Sequence, residues 1–174
     1  LIALATTGSS QEKEGFRRGT HEFKYSDGRV YNGEWKKYKH DGSGKLSWPD
    51  GKSFEGEWFE GRMNGDGIMT WADGRIYMGL YTNDKMNGEG VMIWPDEKEY
   101  IGEWLNDKMH GQGTMVWDDG KRYEGQWENG EWNGSGIYTW AVNGRAEGEW
   151  KNGNLQNGQY QNHADASNGI YTGS

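Results

Sequence analysis

Apolar and polar positions alternate in short bursts along this chain. Tyr100, Gly102 and Trp104 fall on every second residue, as do Gly113, Met115 and Trp117. That is the period of a strand with one buried face, and each burst is too short for a helix of 3.6 periodicity. Glycine inside helices at this frequency would also cost about 1 kcal/mol per site relative to alanine. Between the bursts lie turn-forming runs. Asp-Gly pairs occur in "PDGKS", "ADGRI" and "DDGKR", and "NDKMHG"-type segments occur halfway between them; Gly and Asn accept the positive φ that tight hairpin turns demand. The pattern therefore predicts β-hairpins.

The hairpins repeat every 23 residues. A Gly-x-Gly pair recurs at Gly42/Gly44, Gly65/Gly67, Gly88/Gly90, Gly111/Gly113 and Gly134/Gly136, and Trp48, Trp71, Trp94, Trp117 and Trp140 each stand four residues beyond the second glycine. A second register opens with Tyr31, Phe54, Tyr77, Tyr100 and Tyr123. Two residues on come Gly33, Gly56, Gly79, Gly102 and Gly125, then Trp35, Trp58, Tyr81, Trp104 and Trp127. Every tryptophan but Trp132 holds a repeat slot; Trp132 stands where other units carry Met63, Met86 and Met109, positions read as turns. A fixed period of this length marks a repeat architecture rather than a globule. The expected organisation is an amino-terminal tail over 1–14 and an array over 15–160. The array comprises a half unit 15–30, units 31–53, 54–76, 77–99, 100–122 and 123–145, and a degenerate unit 146–160 that keeps Gly148 and Trp150. A polar tail over 161–174 follows. Glu97 takes the turn slot that Gly74 and Gly120 hold.

Composition sharpens this picture. Only 32% of the residues are hydrophobic, too few for a thick core, yet 11 tryptophans and 10 tyrosines are too many for a solvated coil. The predicted fold is all-β: an elongated, single-layer antiparallel sheet of tandem 23-residue hairpins. Such a sheet can bury aromatic area only by laying rings across its own face, and a neighbour without Cβ makes room for that. Tyr31, Trp35, Trp48, Phe54, Trp58, Trp71, Tyr77, Tyr81, Trp94, Tyr100, Trp104, Trp117, Tyr123, Trp127, Trp140 and Trp150 are thus expected to form a continuous stacked ladder on one face. That ladder is also the candidate partner-binding surface. The other face should carry a solvated acidic row of Glu34, Glu57, Glu103, Gln126 and Glu149, and the turns a basic row of Lys52, Arg75, Lys98, Lys121 and Arg145.

A net charge of -8 opposes binding to nucleic acid or to anionic lipid. With no cysteine there is neither a disulfide framework nor a thiolate nucleophile. His21, His40, His110 and His163 fall in predicted turns or tails without ligand spacing, so neither metal nor cofactor is expected. No Gly-x-Ser-x-Gly elbow occurs, and no Gly-Lys pair has the glycine a phosphate loop needs five residues earlier. Repeated positions imply repeated environments, whereas an active site needs a unique one. The chain is expected not to be an enzyme. The start, "LIALATTGSSQEKE", reads as a cloning scar, a fragment boundary or a processed targeting remnant.

Units of the form Tyr-x-Gly-Glu-Trp, then Lys-Met-His/Asn-Gly-x-Gly, then Trp-x-Asp-Gly resemble MORN repeats, the membrane occupation and recognition nexus family. The resemblance covers roughly residues 15 to 160. It implies a twisted single-layer sheet with a groove, serving as a scaffold or peptide-binding module in cytoskeletal, ciliary or membrane-contact assemblies. The expected partner is a protein, with a peptide or helix in the groove, and open sheet ends allow self-association. A peripheral lipid-contacting module, a regulatory region of a larger enzyme and an accessory subunit of an organellar membrane complex are the alternatives. The expected location is intracellular, cytoplasmic or cytoskeletal and membrane-peripheral, or organellar if the start is a processed remnant.

Overall fold

The computed structural model describes residues 18–141, 144–161 and 168–172. The tail expected over 1–14, and His163, lie outside them. The chain divides into two compact units, one ending at Lys85 and the other beginning at Met86. The first contains β1 (Arg18–Lys24), β2 (Val30–Lys36), β3 (Lys39–Ser47), β4 (Ser53–Phe59), β5 (Arg62–Thr70) and β6 (Ile76–Thr82). Each strand pairs antiparallel with the next in chain order. From Met86 onward the second unit contains β7 (Lys85–Ile93), β8 (Glu99–Leu105), β9 (Lys108–Val116), β10 (Arg122–Glu128), β11 (Glu131–Thr139), β12 (Arg145–Lys151), β13 (Asn154–Gln161) and β14 (Asn168–Thr172). These too pair antiparallel in order. The fold is all-β, and no helix occurs among the described residues. Residues 168–172, within the stretch read as a polar tail, add a strand beside β13.

Turn chemistry sets the strand ends. Lys37 and Tyr38, Glu60 and Gly61, Asn106 and Asp107, Asn129 and Gly130, and Asn152 and Gly153 all have positive φ. Two consecutive residues in that region make the type I′ turn, whose twist matches the flanking strands, so each loop closes in two residues. This corrects the reading of the longer "NDKMHG" segments as turns. The basic residue and the methionine after it have already rejoined the ladder: Met63 opposes Trp58 and Met109 opposes Trp104. His40 likewise lies in β3, opposite Trp35, and Trp132 in β11, opposite Trp127.

Glycine seams run across the strands of each unit. Gly33, Gly44, Gly56, Gly67 and Gly79 pair in succession in the first. In the second the seam is Gly90, Gly102, Gly113, Gly125, Gly136, Gly148 and Gly158. One residue beyond the seam the register shifts, between Gly33 and Trp35, Gly56 and Trp58, Gly102 and Trp104, and Gly125 and Trp127. Each shift is a β-bulge that leaves backbone groups out of the ladder.

Three members of the row expected to be solvated fill such vacancies. Glu34 Oε1 accepts the N–H of Ser43 at 3.0 Å, Glu103 Oε1 that of Gln112 at 2.7 Å, and Gln126 Oε1 that of Ser135 at 2.9 Å. A neutral amide does the same work as two carboxylates, so the role is that of an acceptor, not of a charge. The first glycine of each Gly-x-Gly pair makes space for it: Gly42 has φ 100, and a Cβ there would lie 2.7 Å from the Glu34 carboxyl carbon.

Gly28, Gly51, Gly74 and Gly120 occupy the left-handed region in the longer turns, and Glu97, with φ 63, is forced into it. A side chain there costs about 1–2 kcal/mol per residue. Glu97→Gly is therefore expected to stabilise the protein by about 1 kcal/mol, read as a rise in the urea midpoint at unchanged m-value.

Candidate partner-binding face

One face of each unit is built in tiers, and the glycine seam is its floor. A Cβ on Gly113 would come within 2.6 Å of Tyr100 Cε2 and closer still to Cζ and Oη, and Gly136 stands in the same relation to Tyr123. The rings of Tyr31, Phe54, Tyr77, Tyr100 and Tyr123 thus lie on bare backbone, and all five are fully buried. The four tyrosine hydroxyls each donate to the carbonyl three residues on. Tyr31 donates to the carbonyl of Glu34 at 3.0 Å, Tyr77 to Leu80 at 3.2 Å, Tyr100 to Glu103 at 2.9 Å and Tyr123 to Gln126 at 3.1 Å. Burial raises the pKa of Tyr31 and Tyr123, so both remain donors.

The next tier flanks these rings. Trp35 and Trp58 meet Tyr31 edge-to-face at 5.2 and 5.5 Å, and Trp127 and Trp150 meet Tyr123 at 5.3 and 5.7 Å. The indoles of this tier also donate to the backbone, Trp35 to His21, Trp58 to Gly44, Trp104 to Gly90, Trp127 to Gly113 and Trp150 to Gly136, at 3.0 to 3.3 Å. The ladder is therefore not a continuous stack. Neighbouring rings pack at nearly right angles, which places the positive edge of one against the negative face of the next.

Face-on stacking occurs in the slot that the sequence left unexplained. His40 lies 3.6 Å from Tyr31 at an interplanar angle of 8°, and Trp132 lies 4.2 Å from Tyr123 at 2°. Met86 holds the corresponding position and is buried. The signal was present in the spacing, because His40, Met63, Met86, Met109, Trp132 and Leu155 recur every 23 residues.

Trp48, Trp71, Trp94, Trp117 and Trp140 are separate from the inner rings. Each stands one residue past a strand end, where its N–H bonds across the turn: Trp48 to Lys52, Trp71 to Arg75, Trp94 to Lys98, Trp117 to Lys121 and Trp140 to Gly144. The first four are half-buried and Trp140 is 39% exposed. The basic row covers part of them, with Lys52 Nζ 4.2 Å from the Trp48 ring, Arg75 Cζ 5.0 Å from Trp71 and Lys98 Nζ 4.5 Å from Trp94. These contacts spend the turn cations on indole faces. Among the described residues no three His, Asp or Glu side chains are grouped to hold a metal.

The MORN-repeat family model matches residues 31–53, 54–74, 77–98, 100–122, 123–145 and 147–156. No curated protein matches significantly. Among solved structures, the chain is similar to the SAS-4 (dCPAP) TCP domain of Drosophila melanogaster, seen in complex with a proline-rich motif of Ana2 (dSTIL). That likeness has a TM-score of 0.53 at 10% identity over 99% of this chain and 98% of that one. A mutant TCP10 domain of Danio rerio CPAP is similar at TM-score 0.45 and 11% identity, over 75% of this chain and 61% of that one.

Gly113→Ala is expected to lift Tyr100 off the seam and to cost about 2–4 kcal/mol in chemical denaturation, in the range of a severe core defect. His40 supplies a pH test. Burial, with a smaller contribution from Arg29, pushes its imidazole down from 6.5 to about 4. Between those values the unfolded chain binds the proton and the folded chain does not. Stability should therefore be full above pH 6.5 and fall as pH drops towards 4. His40→Met, which installs the residue of neighbouring repeats, should flatten that part of the profile.

Proposed function

We propose that this chain, which belongs to the MORN-repeat family, is a non-catalytic scaffold that holds a segment of a partner protein against its ring face, as a subunit or segment of a larger assembly. The observation that carries this reading is the arrangement of rings in tiers on a sheet one layer thick. A domain of ordinary build covers its apolar layer with a second layer. Here, among the described residues of either unit, the sheet covers the rings from one side only, and the outer indoles stay partly open. Exposed aromatic surface of this kind anchors interfaces.

The inner rings, Tyr31, Trp35, Phe54, Trp58, Tyr77, Tyr81, Tyr100, Trp104, Tyr123, Trp127 and Trp150, are buried and hold the sheet together. In this reading a partner meets mainly the outer row of Trp48, Trp71, Trp94, Trp117 and Trp140. The SAS-4 TCP domain, which shares the fold, carries a proline-rich motif of another protein, and this supports peptide capture by such a sheet. The recurrence of one environment in repeat after repeat supports a binding rather than a catalytic role.

The test is co-purification from the native source with Trp48→Ala, Trp71→Ala and Trp94→Ala variants whose folding is verified by circular dichroism. Partner recovery should drop about tenfold, the size expected of an interface anchor. Folded variants that keep the partner fully would sink the proposal.

A further inference from the structure

The last full repeat differs from the others in kind. Where they place Leu46, Met69, Met92 and Met115, all buried, this one has Tyr138, which stands partly out of the face. Where they place methionine or His40, it has Trp132. These two residues join the outer indoles into one cluster. Trp132 lies 5.9 Å from Trp117 and 5.3 Å from Tyr138, and Tyr138 lies 6.2 Å from Trp117 and 5.1 Å from Trp140.

The cations are engaged elsewhere. Lys121 Nζ bonds Asp119 at 2.6 Å and Arg145 bonds Glu147, and no cation lies over Trp117 or Trp140 among the described residues. The donors are open as well. Trp104, Trp127 and Trp150 spend their indole N–H groups on backbone carbonyls. No acceptor among the described residues takes the indole N–H of Trp117, Trp132 or Trp140 or the hydroxyl of Tyr138; the groups of Trp117, Trp132 and Tyr138 are not buried away from solvent, and Trp140 is 39% exposed. Burial raises the pKa of Tyr138, which keeps its hydroxyl protonated.

Four ring surfaces with four unused donors call for a ligand of flat apolar bulk with surplus acceptors. A helix has spent its carbonyls internally. An ordinary extended peptide brings as many N–H donors as carbonyls. A proline-rich segment has apolar rings, lacks the N–H at each proline, and in the polyproline II conformation leaves its carbonyls unbonded. Aromatic-lined grooves recognise such segments on this basis. Resting on the ring face as the partner-binding surface, we propose that Trp117, Trp132, Tyr138 and Trp140 form a docking site for a proline-rich segment of the partner.

The experiment titrates decaproline into the full chain labelled with 15N-tryptophan and follows the indole N–H signals. A glycine-serine decapeptide and a trimethyl-lysine peptide serve as controls. The signals of Trp117, Trp132 and Trp140 should shift saturably while those of Trp104, Trp127 and Trp150 stay. Trp132→Met and Tyr138→Met install the residues of neighbouring repeats and so preserve the fold; each should weaken decaproline binding about tenfold. No shift at millimolar decaproline, equal shifts with the glycine-serine peptide, or shifts with the trimethyl-lysine peptide alone would overturn the assignment. If decaproline fails while the outer-row alanine variants still lose the partner, the ligand class falls and the scaffold stands; if those variants also keep the partner, both fall.

Discussion

A strand pair has two faces, and in a sheet without a second layer whatever is buried must be buried against the sheet's own backbone. The seams of paired glycines meet that constraint. Burying one large apolar side chain contributes roughly 1.5–3 kcal/mol, while glycine in a strand costs about 0.5–1 kcal/mol. A ring laid on two facing glycines, as Tyr100 lies on Gly102 and Gly113, therefore comes out ahead, and only because no Cβ holds it off. The rest of the architecture follows from protecting that contact.

The bulge beside the seam is the first consequence. It turns the strand so that the indole two residues after the seam glycine can swing over the neighbouring repeat, where Trp127 reaches the carbonyl of Gly113 and Trp150 that of Gly136. The ladder groups it disrupts must be satisfied, since an unpaired backbone group costs as much as a lost hydrogen bond. Tyr100 Oη takes the Glu103 carbonyl from the ring face, and Glu103 Oε1 takes the Gln112 N–H from the other face. The repeats of Glu34, Glu103 and Gln126 thus spend both faces of one bulge on their own integrity. Phe54 keeps the ring and gives up the hydroxyl, which marks the buried ring as the invariant part.

The positions that this scheme leaves over are the ones proposed to meet a partner. The outer tryptophans lie past the strand ends, where no glycine seats them, and their faces are contested between turn cations and whatever else approaches. Repetition makes most of them equivalent. The repeat that carries Trp132 and Tyr138 breaks the equivalence, because two aromatic rings replace two compliant side chains and hold neighbouring indoles at close quarters.

The 23-residue spacing, the alternation of Tyr, Gly and Trp, and the Asp-Gly turns were enough to read off hairpins in series, because strand period and turn dihedrals are local properties of the chain. The pairing of ring with glycine was legible for the same reason. Three features were decided only in the folded sheet. The role of Glu34, Glu103 and Gln126 depends on a bulge that exists only once two strands are in register. The placement of His40 and Trp132 over buried rings depends on turns closing in two residues rather than six. The separation of inner from outer tryptophans depends on where each strand stops. All three are set by pairing across strands, and a contact between residues distant in sequence has no signature in the order of residues along either one.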